Sequence, residues 1–389
     1  MTRTVHFLTG IRSEYDILAP IIAAVNAQPG LEAGVIVTGA HLTGLHGHSV
    51  RQIEADGYRI AARIDSLLAS DGLGGRVKGM ALQLAGLTDL FSREKPDFLV
   101  VMGDREEVMT GAVAAIYHHI PIVHVGSGDH ADDGNVDNLV RHAVSKMAHL
   151  HMATTELSAL RLRELGEEPW RIHVTGASGL DRIIATPNMT RADLETALGV
   201  DWRGAPYAVL LYHPTITDFA EARAHMASIT RVLEASGLNI AVLAPNSDPG
   251  NQAVNQEIDA LIARCPKAKA FTFLERKVFI NMLRHARVMV GNSSAGILEA
   301  PSMGLPVVNI GVRQRGREHG DNVIFVGYDT EEITAAITKA TTDESFRALV
   351  AQRRTPYGDG QAGQRIAEIL RTVETGRSLL DKKWVKVSR

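Results

Sequence analysis

One cysteine, Cys265, occurs in 389 residues, which leaves no disulfide within the chain and no four-cysteine zinc site. A reducing compartment fits that usage, and we expect a cytoplasmic protein. Net charge is small too: 41 Lys and Arg against 44 Asp and Glu give a formal −3. With no Lys/Arg block, there is no electrostatic footprint for duplex DNA or a lipid surface. Long apolar runs are missing too. The opening residues, MTRTVHFLTGIRSEYD, turn polar too soon for a signal peptide or a spanning helix. Short-period repeats and low-complexity tracts are absent. With apolar residues at 45% and charged ones at 22%, the composition excludes a disordered chain, a fibrous repeat and a multi-span membrane protein. The length favours two domains.

Short, nearly continuous apolar runs alternate with longer amphipathic stretches, the pattern of strands and helices in a parallel, doubly wound sheet. In the first half the predicted strands are Val5 to Thr9, Ala33 to Thr38, Phe98 to Met102, Ile120 to Val125, Leu150 to Thr154 and Ile172 to Thr175. Helical patterns fall at Asp16 to Gln28, Arg76 to Glu94, Glu106 to His118 and Val136 to Met147. The stretch Leu180 to Trp202 has no clear strand. The alternation then restarts with Ala208 to Tyr212, Ile240 to Ala244, Ala270 to Phe273, Val288 to Val290, Val307 to Ile310 and Val323 to Val326. The expected fold class is therefore α/β, with Rossmann-like domains at 1–180 and 181–375 and a tail at 376–389. A last helical stretch, Gly363 to Thr375, is placed where it could cross back onto the first domain.

Open α/β sheets bind ligands beyond the carboxyl ends of their strands, so the residues just after each apolar run carry the chemistry. After the first strand come Gly10-Ile11-Arg12 and Asp16, and after the third Gly103-Asp104-Arg105. The second half supplies His213-Pro214, Asn246-Ser247-Asp248 and Gly291-Asn292-Ser293-Ser294-Ala295-Gly296. Ser293 and Ser294 lie where small residues and a helix start would let a phosphate approach backbone N–H groups, although either could simply cap the helix. Glu299 follows at a distance suited to ribose hydroxyls. No GxxxxGK[ST] or dinucleotide fingerprint exists. Arg12, with Arg313, Arg315 and Arg317, could grip a diphosphate through forked donors.

Three carboxylates, Asp104, Asp129 and Asp137, stand at separate strand ends or turns. Gathered in one cleft they would repel, raise the proton affinity of at least one, and so separate an acid from a base. A helix cap at Asp104 and a solvated turn over 129–137 are the open alternatives. Sixteen histidines include no set with metal-ligand spacing, and HExxH is absent, so neither a metal nor another cofactor is expected. No GxSxG elbow appears, and Cys265 has no nearby base.

Jointly these strings resemble the UDP-N-acetylglucosamine 2-epimerase family, in its hydrolysing branch serving sialic- and nonulosonic-acid synthesis. The resemblance rests on Thr9-Gly10-Ile11-Arg12-Ser13-Glu14-Tyr15-Asp16, Gly39-Ala40-His41-Leu42, Val101-Met102-Gly103-Asp104-Arg105 and Gly134-Asn135-Val136-Asp137. Arg141-His142-Ala143-Val144-Ser145-Lys146, Tyr212-His213-Pro214, Gly291 through Pro301, and Gly311 through Arg317 complete it. It implies a GT-B arrangement of two Rossmann-like domains with a nucleotide sugar in the cleft between them. By resemblance Arg12, His213, Ser293, Ser294, Glu299 and Arg313 hold the nucleotide, and Asp104 and Asp137 match catalytic acids. Asp16 and Asn246 join the expected binding residues. The chain departs at Gly126-Ser127-Gly128-Asp129, where many members carry His-Gly-Gly-Glu, so Asp129 sets a shorter carboxylate in place of a glutamate.

The implied reaction turns UDP-GlcNAc and water into N-acetylmannosamine and UDP, by anti elimination to a 2-acetamidoglucal followed by hydration. Base and acid are not assigned among Asp104, Asp129 and Asp137. The alternatives are a hydrolysing 2-epimerase of another activated amino sugar (a UDP-linked diacetamido-trideoxy sugar or a GDP-linked one), a GT-B glycosyltransferase, and a non-catalytic nucleotide-sugar sensor. Family analogy suggests a homodimer or homotetramer.

Overall fold

The computed structural model describes residues 2–44, 48–68, 73–130, 136–214, 219–245, 250–272 and 274–386. Asn246, Phe273 and the pair Gly134-Asn135 of the sequence reading lie outside them. The described residues form two compact units, one made of 2–130, 136–182 and 357–386, the other of 183–356.

The first unit is built on seven parallel strands: β1 (Arg3–Thr9), β2 (Leu31–Thr38), β3 (Ile60–Ile64), β4 (Phe98–Met102), β5 (Ile122–Val125), β6 (Leu150–Ala153) and β7 (Ile172–Val174). Their order is β3-β2-β1-β4-β5-β6-β7. Alternate residues of one strand enter separate cores: on β4, Phe98 and Val100 pack with Val5, Phe7 and Ile22, while Leu99 and Val101 pack with Leu8, Ala112 and Ala115. Both faces are dry, which is why these strands read as apolar runs. β3 went unread because it is an edge strand with one fully buried residue, so IAARI carries little apolar signal.

The second unit holds β8 (Tyr207–Leu211), β9 (Asn239–Leu243), β10 (Ala268–Phe271), β11 (Val288–Gly291), β12 (Val307–Ile310) and β13 (Val323–Val326), in the order β10-β9-β8-β11-β12-β13. In both sheets the first strand lies beside the fourth, so the direction of winding reverses there. That reversal opens a crevice at the carboxyl ends of β1 and β4, and of β8 and β11. Among the described residues no helix is long and apolar enough to cross a membrane.

The expected second domain, 181–375, runs too far. After Pro356 the chain rejoins the first unit, and the 376–386 stretch taken for a tail is docked there. The cause is apolar matching: Ile366, Ala367 and Leu370 of helix Ala362–Thr372 enter the core formed by Leu18, Ile21 and Ile22 of helix Arg12–Ala27. Asp181 caps the returning helix, accepting from the N–H groups of Ala362 (3.1 Å) and Gly363 (2.6 Å). Beyond it, the fully buried Arg171 donates to the carbonyls of Leu379 (2.7 Å), Ser378 (3.3 Å), Asp381 (3.1 Å) and His149 (3.1 Å) and to Glu168 Oε2 (2.6 Å). Lys382 Nζ reaches the buried Glu167 carboxylate at 2.6 Å, beside Lys146 at 2.8 Å and His151 at 2.9 Å.

Candidate active site

In the first unit the crevice is shaped by buried charge. Gly10 follows β1, and a Cβ there would lie 2.5 Å from Glu107 Oε1, so only glycine leaves room for that carboxylate. Glu14, in the first turn of helix Arg12–Ala27, folds back to accept from the N–H groups of Gly10 (2.8 Å) and Ile11 (3.3 Å), fixing the loop that carries Arg12. Burial, with the Glu107 charge beside it, pushes the Glu14 carboxyl up to about 8. Arg105 lies between the two acids, its Nε 3.1 Å from Glu107 Oε2 and 3.9 Å from Glu14 Oε1. The reading from sequence placed a carboxyl of raised proton affinity among the three aspartates, and missed Glu14 and Glu107.

Asp104 follows β4. The cap position of helix Glu106–Tyr117 is Arg105, without a side-chain cap bond, so the helix-cap alternative for Asp104 is not the one adopted. Its carboxylate instead pairs with the guanidinium of Arg141, which also donates to the carbonyl of Asp129 (3.3 Å) and to Asn138 Oδ1 (3.0 Å). Asp129 Oδ1 accepts from the next N–H, of His130, at 2.9 Å. Asp137 lies in the first turn of helix Val136–Met147, four residues before Arg141, which sets the two on one helix face. Arg141 thus ties the Asp104 and Asp129 loops together. Asp16, expected among the ligand contacts, is paired with Arg182 at 2.5 Å.

In the second unit a neutral side chain joins the loops at the crevice. Gly291 ends β11 at φ +135°, where a Cβ would fall 2.0 Å from the carbonyl of Leu211. The next side chain, Asn292, accepts from the His213 N–H and donates to the His213 carbonyl, both at 2.7 Å, stitching the loops after β8 and β11 across the crevice. Its own carbonyl accepts from Arg313 (3.2 Å) and Gln314 (3.0 Å). Burial and the charge of Arg313 bring His213 down to about 4, so its imidazole is neutral at pH 7. Beyond the ends of β8, β9 and β10 lies a cavity of about 290 Å³, lined by Leu211, His213, Pro245, Phe271, Leu274 and Phe279.

Ser293 Oγ accepts from the N–H of Ala295 at 3.3 Å, and Ser294 precedes a helix of four residues, Ala295–Leu298. Glu299 does not continue that helix. It stands instead at the break before a second four-residue helix, Ala300–Met303, so any anion here meets local N–H groups rather than a long helix dipole. Glu299 Oε1 accepts from Arg276 at 3.1 Å, while its buried Oε2 has no partner among the described residues. Arg276 lies 5.6 Å from the ring of Phe279 and so joins Glu299 to the cavity wall. Arg276 and the apolar wall were missed, since Arg276 merely opens the helix Arg276–His285 and the wall residues Leu211 and Phe271, although they end β8 and β10, carry no recognisable string.

Comparison with known proteins agrees with this architecture. The family model for UDP-N-acetylglucosamine 2-epimerase matches residues 23–371. A Legionella pneumophila protein named UDP-N,N'-diacetylbacillosamine 2-epimerase (hydrolyzing) is 34% identical over 382 residues, covering 98% of this chain and 99% of its own. A Neisseria meningitidis UDP-N-acetylglucosamine 2-epimerase is 29% identical over 382 residues, 98% of each chain. Among solved structures, the Neisseria meningitidis UDP-GlcNAc 2-epimerase bound to UDP-GlcNAc superposes with a TM-score of 0.82 at 19% identity, over 95% of this chain and 100% of that one. Two parallel α/β units of GT-B type, matched along nearly their whole length, make this chain an enzyme of the UDP-N-acetylglucosamine 2-epimerase family.

Proposed function

We propose that the enzyme is a hydrolysing 2-epimerase, releasing UDP and a free 2-acetamido sugar of inverted C2 configuration from a UDP-linked substrate. The observation that carries this reading is the pairing of Asp104 and the Asp129 loop on Arg141, with Asp137 on the same helix face. Loss of UDP across C1 and C2 needs a carboxylate for the C2 proton, and hydration of the resulting glycal needs a protonated group on the opposite face. No carbonyl acidifies that C2 proton, so stabilising the departing diphosphate and a cation-like C1 lowers most of the barrier.

In the second unit, the buried unpartnered Oε2 of Glu299 is an acceptor that a ribose hydroxyl would satisfy, and the adjoining apolar cavity suits a flat base. Within the second unit, Arg313 and the Ser293-Ser294 turn are the groups we assign to the diphosphate. We weigh two substrates, UDP-GlcNAc and UDP-N,N'-diacetylbacillosamine, after the names that the relatives carry. The second is favoured by the 34% identity to the Legionella protein, against 29% to the Neisseria protein over the same length.

Incubation with each sugar in heavy water, read by NMR, tests both points. We expect UDP and a free manno-configured sugar deuterated at C2, faster from the diacetamido substrate. Retention of the original hydrogen at C2 excludes elimination and reprotonation, and failure to release UDP from either sugar rejects the hydrolysing activity.

A further inference from the structure

Two contacts run from one helix to the turn that carries Asp104. Arg141, in the middle of helix Val136–Met147, pairs with the Asp104 carboxylate. Ser145, four residues on and so on the same face, contacts His124 Nδ1 at 3.1 Å, and His124 Nε2 lies 2.8 Å from the carbonyl of Gly103. A carbonyl only accepts, so Nε2 carries the hydrogen and Nδ1 accepts from the serine hydroxyl. Burial brings His124 down to about 3, which keeps the imidazole neutral and this polarity fixed. Successive residues of the turn, Gly103 and Asp104, are therefore held by successive turns of one helix.

Arg141 does more than anchor Asp104. Its side chain is 6% exposed, and Nη1 donates to the Asp129 carbonyl at 3.3 Å and to Asn138 Oδ1 at 3.0 Å. A planar fork with donors on two edges can hold two loops at one angle to each other, whereas an ammonium offers a single point. A buried guanidinium is costly unless its donors are filled, and here acceptors on the two loops that carry Asp104 and Asp129 serve it beside Asn138 of its own helix.

We propose that Arg141 is the positioning residue of the acid cluster: it sets the Asp104 carboxylate and the Asp129 loop in one fixed geometry, without itself contacting substrate. This rests on the catalytic reading of Asp104 and Asp129 given above. Its consequence is that the shorter Asp129 side chain reaches the reacting sugar only from a backbone held in place by Nη1.

The test uses the full-length enzyme with the UDP-sugar it turns over, comparing wild type, Arg141→Met, Arg141→Lys and Asp104→Asn. UDP binding is measured by calorimetry, and kcat is normalised to the UDP-binding stoichiometry so that unfolded protein does not count. An ångström of misplacement costs on the order of 100-fold in rate. Arg141→Met is expected to lose about that much in kcat, with KM and the Kd for UDP within about threefold of wild type. Arg141→Lys should recover part of the loss, and added guanidinium ion should raise the rate of Arg141→Met towards that of Arg141→Lys. If Arg141→Met does not fold, the lysine variant carries the test, with an expected drop in kcat of about tenfold or more at unchanged UDP affinity. Wild-type kcat in whichever Arg141 variant folds, together with an inactive Asp104→Asn, overturns the positioning role alone. Wild-type turnover in Asp104→Asn overturns the catalytic reading, and the positioning role with it.

Discussion

Replacing Arg171 by methionine should detach the end of the described chain before it unfolds the unit beneath. The guanidinium is fully buried and every one of its nitrogens is used, four contacts going to carbonyl oxygens and one to Glu168. Methionine fills most of the volume but donates nothing. Breaking a buried charge pair from one side costs about 3–5 kcal/mol, since the partners left behind are neither solvated nor bonded. Three of the carbonyls, those of Ser378, Leu379 and Asp381, belong to a short segment that can leave. Release restores water to those oxygens at the expense of the Leu379 side chain, whose burial is worth roughly 1.5–3 kcal/mol, and of the Lys382–Glu167 ion pair, whose carboxylate keeps Lys146 and His151. The two costs are similar, so the variant should populate a state with residues 376–386 undocked. Hydrogen exchange read by mass spectrometry is the assay, with the amide of Val385, now bonded to the Gly166 carbonyl at 3.2 Å, as the sharpest reporter. We expect its protection to fall by a factor of about 100, and Tm by several degrees. Wild-type exchange over 376–386 in a folded Arg171→Met protein refutes the reasoning.

Acid should destabilise both units from near neutrality. Burial lowers His41, His149 and His213 to about 4 and His124 to about 3, against an ordinary value of 6.5. The unfolded chain then binds protons that the folded chain refuses, so stability falls as pH drops below about 6.5, by up to about 1.4 kcal/mol per pH unit for each histidine. Calorimetry between pH 7 and 4.5 should record a falling Tm with proton uptake on unfolding, and a flat Tm over that range contradicts it. Asn292→Ala leaves the N–H and carbonyl of His213 unbonded, a cost of about 2–4 kcal/mol for the pair. UDP affinity measured by titration calorimetry should fall at least tenfold, and unchanged affinity removes Asn292 from the nucleotide site.

How far the sequence could be read follows from which signals are local. Strands buried on both faces announce themselves, and from them the glycine-rich ends at Gly10, Gly103 and Gly291 followed directly. The half-exposed β3 carries no such mark. Asp104 was visible as a strand-end acid, and Arg141 as part of a string that carries the family resemblance, but not as the partner of Asp104. Nothing along the chain says that two residues 37 positions apart share an ion pair. The same holds for Glu14, whose proton affinity is raised by burial and then by Glu107 lying over Gly10, and for Arg276, whose interest lies in the carboxylate it meets. Strand order explains the rest: strand-end residues were each legible, while their pairing across β1/β4 and β8/β11 required the topology.

The closing of the first unit by residues from beyond Pro356 bears on how the protein is made. During synthesis the stretch 183–356 emerges whole and can collapse on the ribosome, whereas its predecessor waits with Leu18, Ile21 and Ile22 uncovered until Ile366 and Leu370 leave the exit tunnel. The half translated first is thus completed last. A truncation between Pro356 and Ile366 would leave a sticky nascent surface for chaperones or proteases to find.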